Sequence, residues 1–299
     1  MAKTSATSRT RSHTARAPRT ARVDAPSIIA PNVVAVTPAA EIHGFAGDPN
    51  FMASLARGLA VIRAFTQQRR RLTIAQLSQR TSIPRAAVRR CLYTLAKLGY
   101  VATEDGRTYA LRPRILALGH AYLSSTPIVN AVQPLLDQIT SVLHESSSMA
   151  VLEGDEILYI ARSSTTTRVM SIDLGIGSRL PAYCTSMGRV LLAGLPPPEL
   201  DGYLSRVKLT KLTGRTVSEP DELKTVLNKV RRDGYSLVDQ ELEIGLRSIA
   251  VPVTDPTGKV VAALNIGTQS SRVPVTDMET KFLPALQAAA HELGLLLGT

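Results

Sequence analysis

The chain has 299 residues, 44% of them hydrophobic, no tryptophan, and a formal net charge of +11 at pH 7. That length suggests two domains with room for buried cores, and no run of about 18 apolar residues occurs, so no transmembrane helix is expected. The two cysteines, Cys91 and Cys184, lie far apart without a CxxC partner, which argues against a disulfide framework or a cysteine metal site and makes a reducing cytoplasm the default compartment.

The charge is unevenly divided. Residues 1–50 carry six Lys/Arg and three Asp/Glu, residues 51–122 thirteen and two, and residues 123–299 sixteen and nineteen. The basic excess belongs to the front of the chain, and the larger remainder is mildly acidic. Such a partition fits a polyanion-binding head on a separate body.

Residues 1–50 are rich in Ala, Thr, Arg, Ser and Pro and show no apolar period, so a disordered basic tail is expected. Their composition resembles a transit peptide, but an apolar core for a secretory signal is lacking. An arm adding nonspecific DNA affinity and a dispensable extension both remain open for this tail. Ser54 can cap a helix that carries Leu55, Leu59, Ile62 and Phe65 on one face. Arg69, Arg70 and Arg71 follow in a loop, near phosphates or simply solvated.

Residues 72–109 parse as helix, tight turn, second helix and a short wing. Thr73 is a good N-cap for a helix with Ile74 and Leu77 inward. Thr81-Ser82-Ile83 is long enough only for a turn, and Pro84 suits the first turn of the next helix. There Val88, Cys91/Leu92, Leu95 and Leu98 recur at spacings of three and four, one buried stripe. The opposite face carries Arg85, Ala86, Arg89, Arg90 and Tyr93. Gly99 ends the helix, and residues 100–101 and 108–111 flank a turn at Asp105-Gly106. An arginine-rich helix face alone is usually a solvated surface. The turn length, the wing and the local charge instead point to a winged helix-turn-helix over 51–113 that reads duplex DNA in the major groove. The expected contacts are Thr73, Ser82, Arg85, Ala86, Arg89, Arg90 and Tyr93, with Arg107 of the wing on the backbone or minor groove.

Residues 114–128 form a linker whose helix has Ile115, Leu116, Leu118 and Tyr122 apolar. That is more apolar surface than a short connector needs, and packing against its copy in a dimer would cover it. Pro127 starts a further helix to residue 143, at the entrance to a domain spanning 129–299. Strands at 147–152 and 157–161 flank a hairpin turn at Glu153-Gly154-Asp155-Glu156, and another strand is expected at 169–174. Helices follow at 186–195 and 222–234. Strands at 249–253 and 260–266 join through Asp255-Pro256-Thr257-Gly258, and 277–297 closes the chain as a long helix. Helices interleaved with antiparallel hairpins indicate an α+β sensor-like sheet rather than a doubly wound one.

At this point the chain is similar to a known family. SLARGLAVIRAF, the helix-turn-helix, PRILALGHAYLSS, PAYCTSMGRVLLA, GYSLVDQELEIGLRSIAVPV and AALNIG together resemble the IclR family of bacterial transcription regulators from residue 51 to 299. The linker and effector-domain stretches look most like the subgroup governing protocatechuate, 4-hydroxybenzoate and β-ketoadipate catabolism. The resemblance implies a winged helix-turn-helix joined to an effector domain with a profilin/GAF-like antiparallel sheet, and a dimer or dimer of dimers on operator DNA. It implies an aromatic-acid or keto-acid effector, and leans towards an activator. A repressor of another catabolic operon is the alternative. The arginine-rich tail is not part of the family pattern.

A small acid needs a partly apolar pocket with converging donors for its carboxylate. Thr185, Ser186, Met187 and Gly188 lie where a loop becomes a helix, and a cap there with the free amides of the first turn would make an anion site; the resemblance places this region at the ligand cavity. Asp239, Glu241, Arg247 and Ser248 form a second polar segment, and Asn265 lies on the last strand. The resemblance implies that Asp239, Ser248 and Asn265 face ligand. Arg247 has a structural alternative, pairing with Glu241. Arg162, Arg168 and Arg179 are candidate carboxylate clamps, each also at home on a surface hairpin. Cys184 or Ser186 as a nucleophile would need a base, and none of His13, His43, His120, His144 and His291 has a dyad context. No catalysis, cofactor, metal or membrane partner is expected, and the size of the second domain argues against a purely architectural DNA-binding role. The expected place is the cytoplasm, at the nucleoid.

Overall fold

Three apolar cores form around two unlike sheets, one beside the small sheet and one on each face of the large one. A computed structural model describes residues 37–66, 69–165 and 174–297. The strand expected at 169–174 lies outside these residues except for Leu174, and Arg168 lies outside them altogether.

The head runs α1 (Pro38–His43), α2 (Ala53–Arg63), β1 (Arg71–Thr73), α3 (Ile74–Thr81), α4 (Arg85–Lys97), β2 (Val101–Ala102) and β3 (Thr108–Leu111). Its sheet has the order β1-β3-β2, antiparallel throughout. Thr73 caps α3 as expected, in a full capping box: its hydroxyl accepts from the Gln76 amide, and the Gln76 side chain accepts from the Thr73 amide. Ser82 ends α3 in the left-handed region at φ 57°, a turn an L-residue adopts at some cost. Val88, Leu92 and Leu95 of α4 are buried on Val61, Leu72, Leu77 and Ile83.

Four expectations change here. Residues 37–50 are not disordered: α1 forms, and Ala39 and Ile42 pack on the head's core. In α2 the buried residues are Ala60 and Val61, Ile62 and Phe65 pack partly buried on the same core, and Leu55 and Leu59 are exposed at 58% and 49%; the helix starts at Ala53 behind Met52, so Ser54 is not its cap. Arg71 lies in a strand paired with β3, not in a loop, and Leu98 caps α4 exposed rather than ending its buried stripe.

A short 3-10 turn at Pro113–Ile115 leads into α5 (Leu116–Ser125), which buries none of its residues. Beyond it come α6 (Pro127–Leu143), β4 (Ser146–Glu153), β5 (Glu156–Ser163), β6 (Arg179–Pro181), α7 (Ser186–Ala193), α8 (Pro197–Arg206), α9 (Pro220–Asp233), β7 (Ser236–Asp239), β8 (Leu246–Thr254) and β9 (Val260–Gln269). The one-turn α10 (Val275–Asp277) and a π-turn at Met278–Phe282 precede α11 (Leu283–Leu296). The second sheet is antiparallel with the order β6-β5-β4-β9-β8-β7. No single helix among the described residues is long and apolar enough to cross a membrane.

Strand alternation assigns each side chain of this sheet to one of two cores. Met149, Ile249, Val251, Leu264 and Ile266 face α6 and α11. Ala150, Ala250 and Ala263 face α7 and α9. The second face is paved with alanine under α7, and that is why a helix can lie so close to it. Gly188 completes the fit, since a Cβ there would stand 2.1 Å from the Ala182 carbonyl oxygen, and one at Gly194 would meet Val260.

Candidate functional site

The head presents one exposed, cationic helix face. Arg85, Ala86, Arg89, Arg90 and Tyr93 of α4 are all exposed, opposite buried Val88, Leu92 and Leu95. Residues three and four apart on a helix are surface neighbours, so Arg85, Arg89 and Tyr93 form one ridge with Arg90 beside it. The Lys97 ammonium extends that ridge by lying 5.5 Å from the Tyr93 ring centre. At the wing, Asp105 accepts hydrogen bonds from the Arg107 and Thr108 amides at 2.8 and 2.7 Å. Those amides and the Thr108 hydroxyl hold its carboxyl well below the usual range, and the tight turn they make projects Arg107 as an exposed residue. Ser82 is exposed beside the start of α4. Thr73 is a half-buried cap whose hydroxyl is engaged with Gln76, so it positions α3 and is not free to contact a base.

Around α7 the structure sorts the expected effector residues into different roles. Thr185 is the N-cap: its oxygen accepts from the Gly188 amide at 3.2 Å, and its hydroxyl donates to the Pro181 carbonyl at 3.1 Å. The Ser186 and Met187 amides, at the start of the helix, are left without an intrahelical acceptor. Ser186, Met187 and Gly188 are buried against the alanine-paved face. Ser248 and Asn265 share that face by strand alternation with Ala250 and Ala263. Asn265 is 8% exposed, and its Oδ1 has no hydrogen-bond partner among the described residues.

Asp239 and Arg247 do not join them. They pair across β7 and β8, Arg247 Nε donating to Asp239 Oδ1 at 2.8 Å, and Arg247 also donates to the carbonyl of Val273, in the α6/α11 core. Both side chains therefore point to the opposite face of the sheet from Ser248 and Asn265. Burial alone would raise the Asp239 pKa, but the hydrogen bond and charge of Arg247 outweigh it and hold the carboxyl below its ordinary value. The Arg247–Glu241 pairing considered from the sequence is replaced by this one.

Glu241 is also committed elsewhere. It receives Arg189 through both ends of the guanidinium, Nη1 to Oε1 at 2.7 Å and Nη2 to Oε2 at 2.6 Å, with the Arg189 side chain 3% exposed. Arg189 Nε donates to the Tyr183 carbonyl, and Glu241 Oε2 accepts from the Val217 amide. This buried pair ties the first turns of α7 to the β7–β8 connection and holds the strand-to-helix loop in place. Sequence reasoning missed Arg189, which stands inside an otherwise apolar helical stretch. A charge in the middle of SMGRVLLA was the available signal, because an arginine there must find a buried partner.

Of the three arginines considered as clamps, Arg179 binds Glu153 and Glu156 on the surface of the hairpin. Arg162 is half-buried and donates from Nη1 to Ser148 Oγ at 3.0 Å. Cys184 is fully buried, and burial pushes its thiol up to about 12. A thiol with that pKa is protonated at neutral pH and is no nucleophile.

Comparison with known proteins supplies the remaining observation. The IclR helix-turn-helix domain matches residues 54–105, and the model described as bacterial transcriptional regulator IclR C-terminal matches residues 120–295. The chain is 58% identical over 269 residues to the Pca regulon regulatory protein of Pseudomonas putida, covering 90% of this chain and 92% of that one. It is 36% identical over 248 residues to the p-hydroxybenzoate hydroxylase transcriptional activator of Acinetobacter baylyi, covering 82% and 91%. A crystal structure of an IclR homolog complexed with 4-hydroxybenzoate from Microbacterium hydrocarbonoxydans superposes with a TM-score of 0.69 at 25% identity, covering 82% of this chain and 98% of that one.

Proposed function

The chain belongs to the IclR family of bacterial transcriptional regulators, and on that premise we propose that it is a ligand-responsive activator of aromatic-acid and β-ketoadipate catabolic genes. The observation that carries the DNA-binding part is the exposed Arg85–Arg89–Arg90 face of α4, backed by a stripe buried in the head's core. In this reading residues 51–113, with 37–50 packed against them, dock on operator DNA. Arg85, Ala86, Arg89, Arg90 and Tyr93 enter the major groove while Ser82 and Arg107 lie along its edges. Residues 114–128 link the head to an effector-binding domain over 129–299. The exposed Leu116, Leu118 and Tyr122 of α5 support a homodimer or a dimer of dimers that pairs through this helix and presents two heads to two half-sites.

The effector is a small carboxylate of the protocatechuate, 4-hydroxybenzoate or β-ketoadipate class. The named activities of the relatives support that class. Its site lies between the start of α7 (Ser186, Met187 and Gly188) and the polar side chains Ser248 and Asn265 of the sheet. Binding there shifts the population of head arrangements by its differential affinity for them. The reading includes no chemical step, in keeping with a family of transcriptional regulators, and it sets the protein at the nucleoid.

The test is Arg89→Ala. Operator binding should fall by about ten- to a hundredfold, the worth of one bidentate base contact, and preference at one base-pair position should relax. Unchanged operator affinity would remove α4 as the reading helix.

A further inference from the structure

Resting on the effector reading above, we infer that Arg162, steadied by Ser148, is the carboxylate anchor of the effector site.

Arg162 is a half-buried guanidinium that faces no carboxylate among the described residues. Every other described arginine of the domain holds a carboxylate or, at Arg231, the last carbonyls of α7. A cation taken partly out of water without a counter-ion is costly. The fold gives it one neutral partner, the Ser148 hydroxyl at 3.0 Å. That bond orients the guanidinium, and its other N–H groups, without a partner among the described residues, can form the two-pronged contact that suits a carboxylate.

The position on the sheet matches. Strand register sets Arg162 of β5 beside Ser148 of β4, Ser148 beside Asn265 of β9, and Asn265 beside Ala250 of β8. Ala250 belongs to the core under α7 and Met149 to the opposite one, so alternation points Arg162, Ser148 and Asn265 to the α7 face. The C-terminal end of α7 is fixed by Gly194 against Val260. α7 packs across this face, in contact with β4, β5, β8 and β9, the strands that carry Ser148, Arg162, Ser248 and Asn265. Asn265, whose Oδ1 has no partner among the described residues, is a second, independent sign that this row is shaped for a polar ligand rather than for packing. A charged anchor at the β5 end and an amide two strands away suit an acid with a second polar group, as in a hydroxybenzoate.

The test measures calorimetric affinity of the full chain for 4-hydroxybenzoate and for its neutral isostere 4-hydroxybenzamide. Wild type should prefer the acid by about ten- to a hundredfold, the worth of a charge-assisted hydrogen bond. Arg162→Gln should lose that preference, and Arg162→Lys should keep part of it. Because the arginine has no counter-ion among the described residues, Arg162→Gln should melt at or above the wild-type temperature without ligand. Ser148→Ala is the second probe: it keeps the charge but frees the guanidinium, and should weaken acid binding while retaining the preference. An Arg162→Gln protein that discriminates acid from amide as wild type does would overturn the anchor alone. Wild type that binds none of 4-hydroxybenzoate, protocatechuate and β-ketoadipate would overturn the effector reading and the anchor together.

Discussion

Replacing Glu241 by alanine isolates the contribution of the buried pair under α7. The substitution leaves the Arg189 guanidinium, 3% exposed, without the two carboxylate contacts at 2.7 and 2.6 Å, and removes the acceptor of the Val217 amide. Breaking one side of a buried pair costs about 3–5 kcal/mol, because the remaining charge is uncompensated. Arg189 Nε keeps the Tyr183 carbonyl, which favours the lower end, about 3 kcal/mol. In a domain of this size each kcal/mol lowers the midpoint by roughly 2–4 °C, so the effector domain should melt about 6–12 °C early. Acid binding should weaken too, since Arg189 holds the loop that starts α7. The double variant Arg189→Met, Glu241→Leu removes both charges and should lie within about 2 kcal/mol of wild type. Urea unfolding of the effector domain measures all three proteins. A loss below about 1 kcal/mol for Glu241→Ala would mean that the pair behaves as a solvated surface bridge and that the loop is held by something else.

Other variants probe the same framework. Gly188→Ala forces a methyl group against the Ala182 backbone and should cost roughly 3 kcal/mol, the top of the overpacking range, with α7 displaced; an unchanged melting point would show that α7 does not lie so close. Asp239, held below its ordinary pKa in the folded protein, contributes stability that is complete above the unfolded value of about 3.9 and is lost as pH falls through the folded one. Asp239→Asn should therefore flatten the acid limb of stability against pH, and an identical limb would contradict the Asp239–Arg247 assignment. Cys184 should resist thiol reagents at pH 8 until the chain unfolds, leaving half-buried Cys91 as the slower of ordinary thiols; rapid labelling of Cys184 in the native protein would reopen a catalytic reading.

Much of the head was legible because its signals are local. A capping residue, a three-residue turn and a stripe at spacings of three and four are enough to place α3, α4 and the wing. The face of α2 was not legible, since Leu55 and Leu59 look like core until tertiary contacts choose Ala60 and Val61. In the effector domain the central hairpins announced themselves, but β6 and β7 are short edge strands of three and four residues and carry little pattern. The candidate site was harder still. The resemblance groups Asp239, Ser248 and Asn265, but the facing of side chains depends on register: Arg247 and Ser248 are neighbours in the chain and lie on opposite faces of the sheet. Partner choice is equally non-local: the sequence offers nearby Arg247 as an alternative partner for Glu241, whereas its actual partner, Arg189, lies fifty-two positions away.

The most direct measurement is a salt-titrated shift assay of the protein on the DNA flanking its own gene, with and without protocatechuate, 4-hydroxybenzoate and β-ketoadipate. The expected result is tight, salt-sensitive binding whose affinity or pattern of complexes changes with at least one acid, with the change lost in Arg162→Gln. Binding that none of the acids alters, or no binding to that DNA beyond the level on unrelated duplex, would contradict a regulator of aromatic-acid genes controlled through the α7 face.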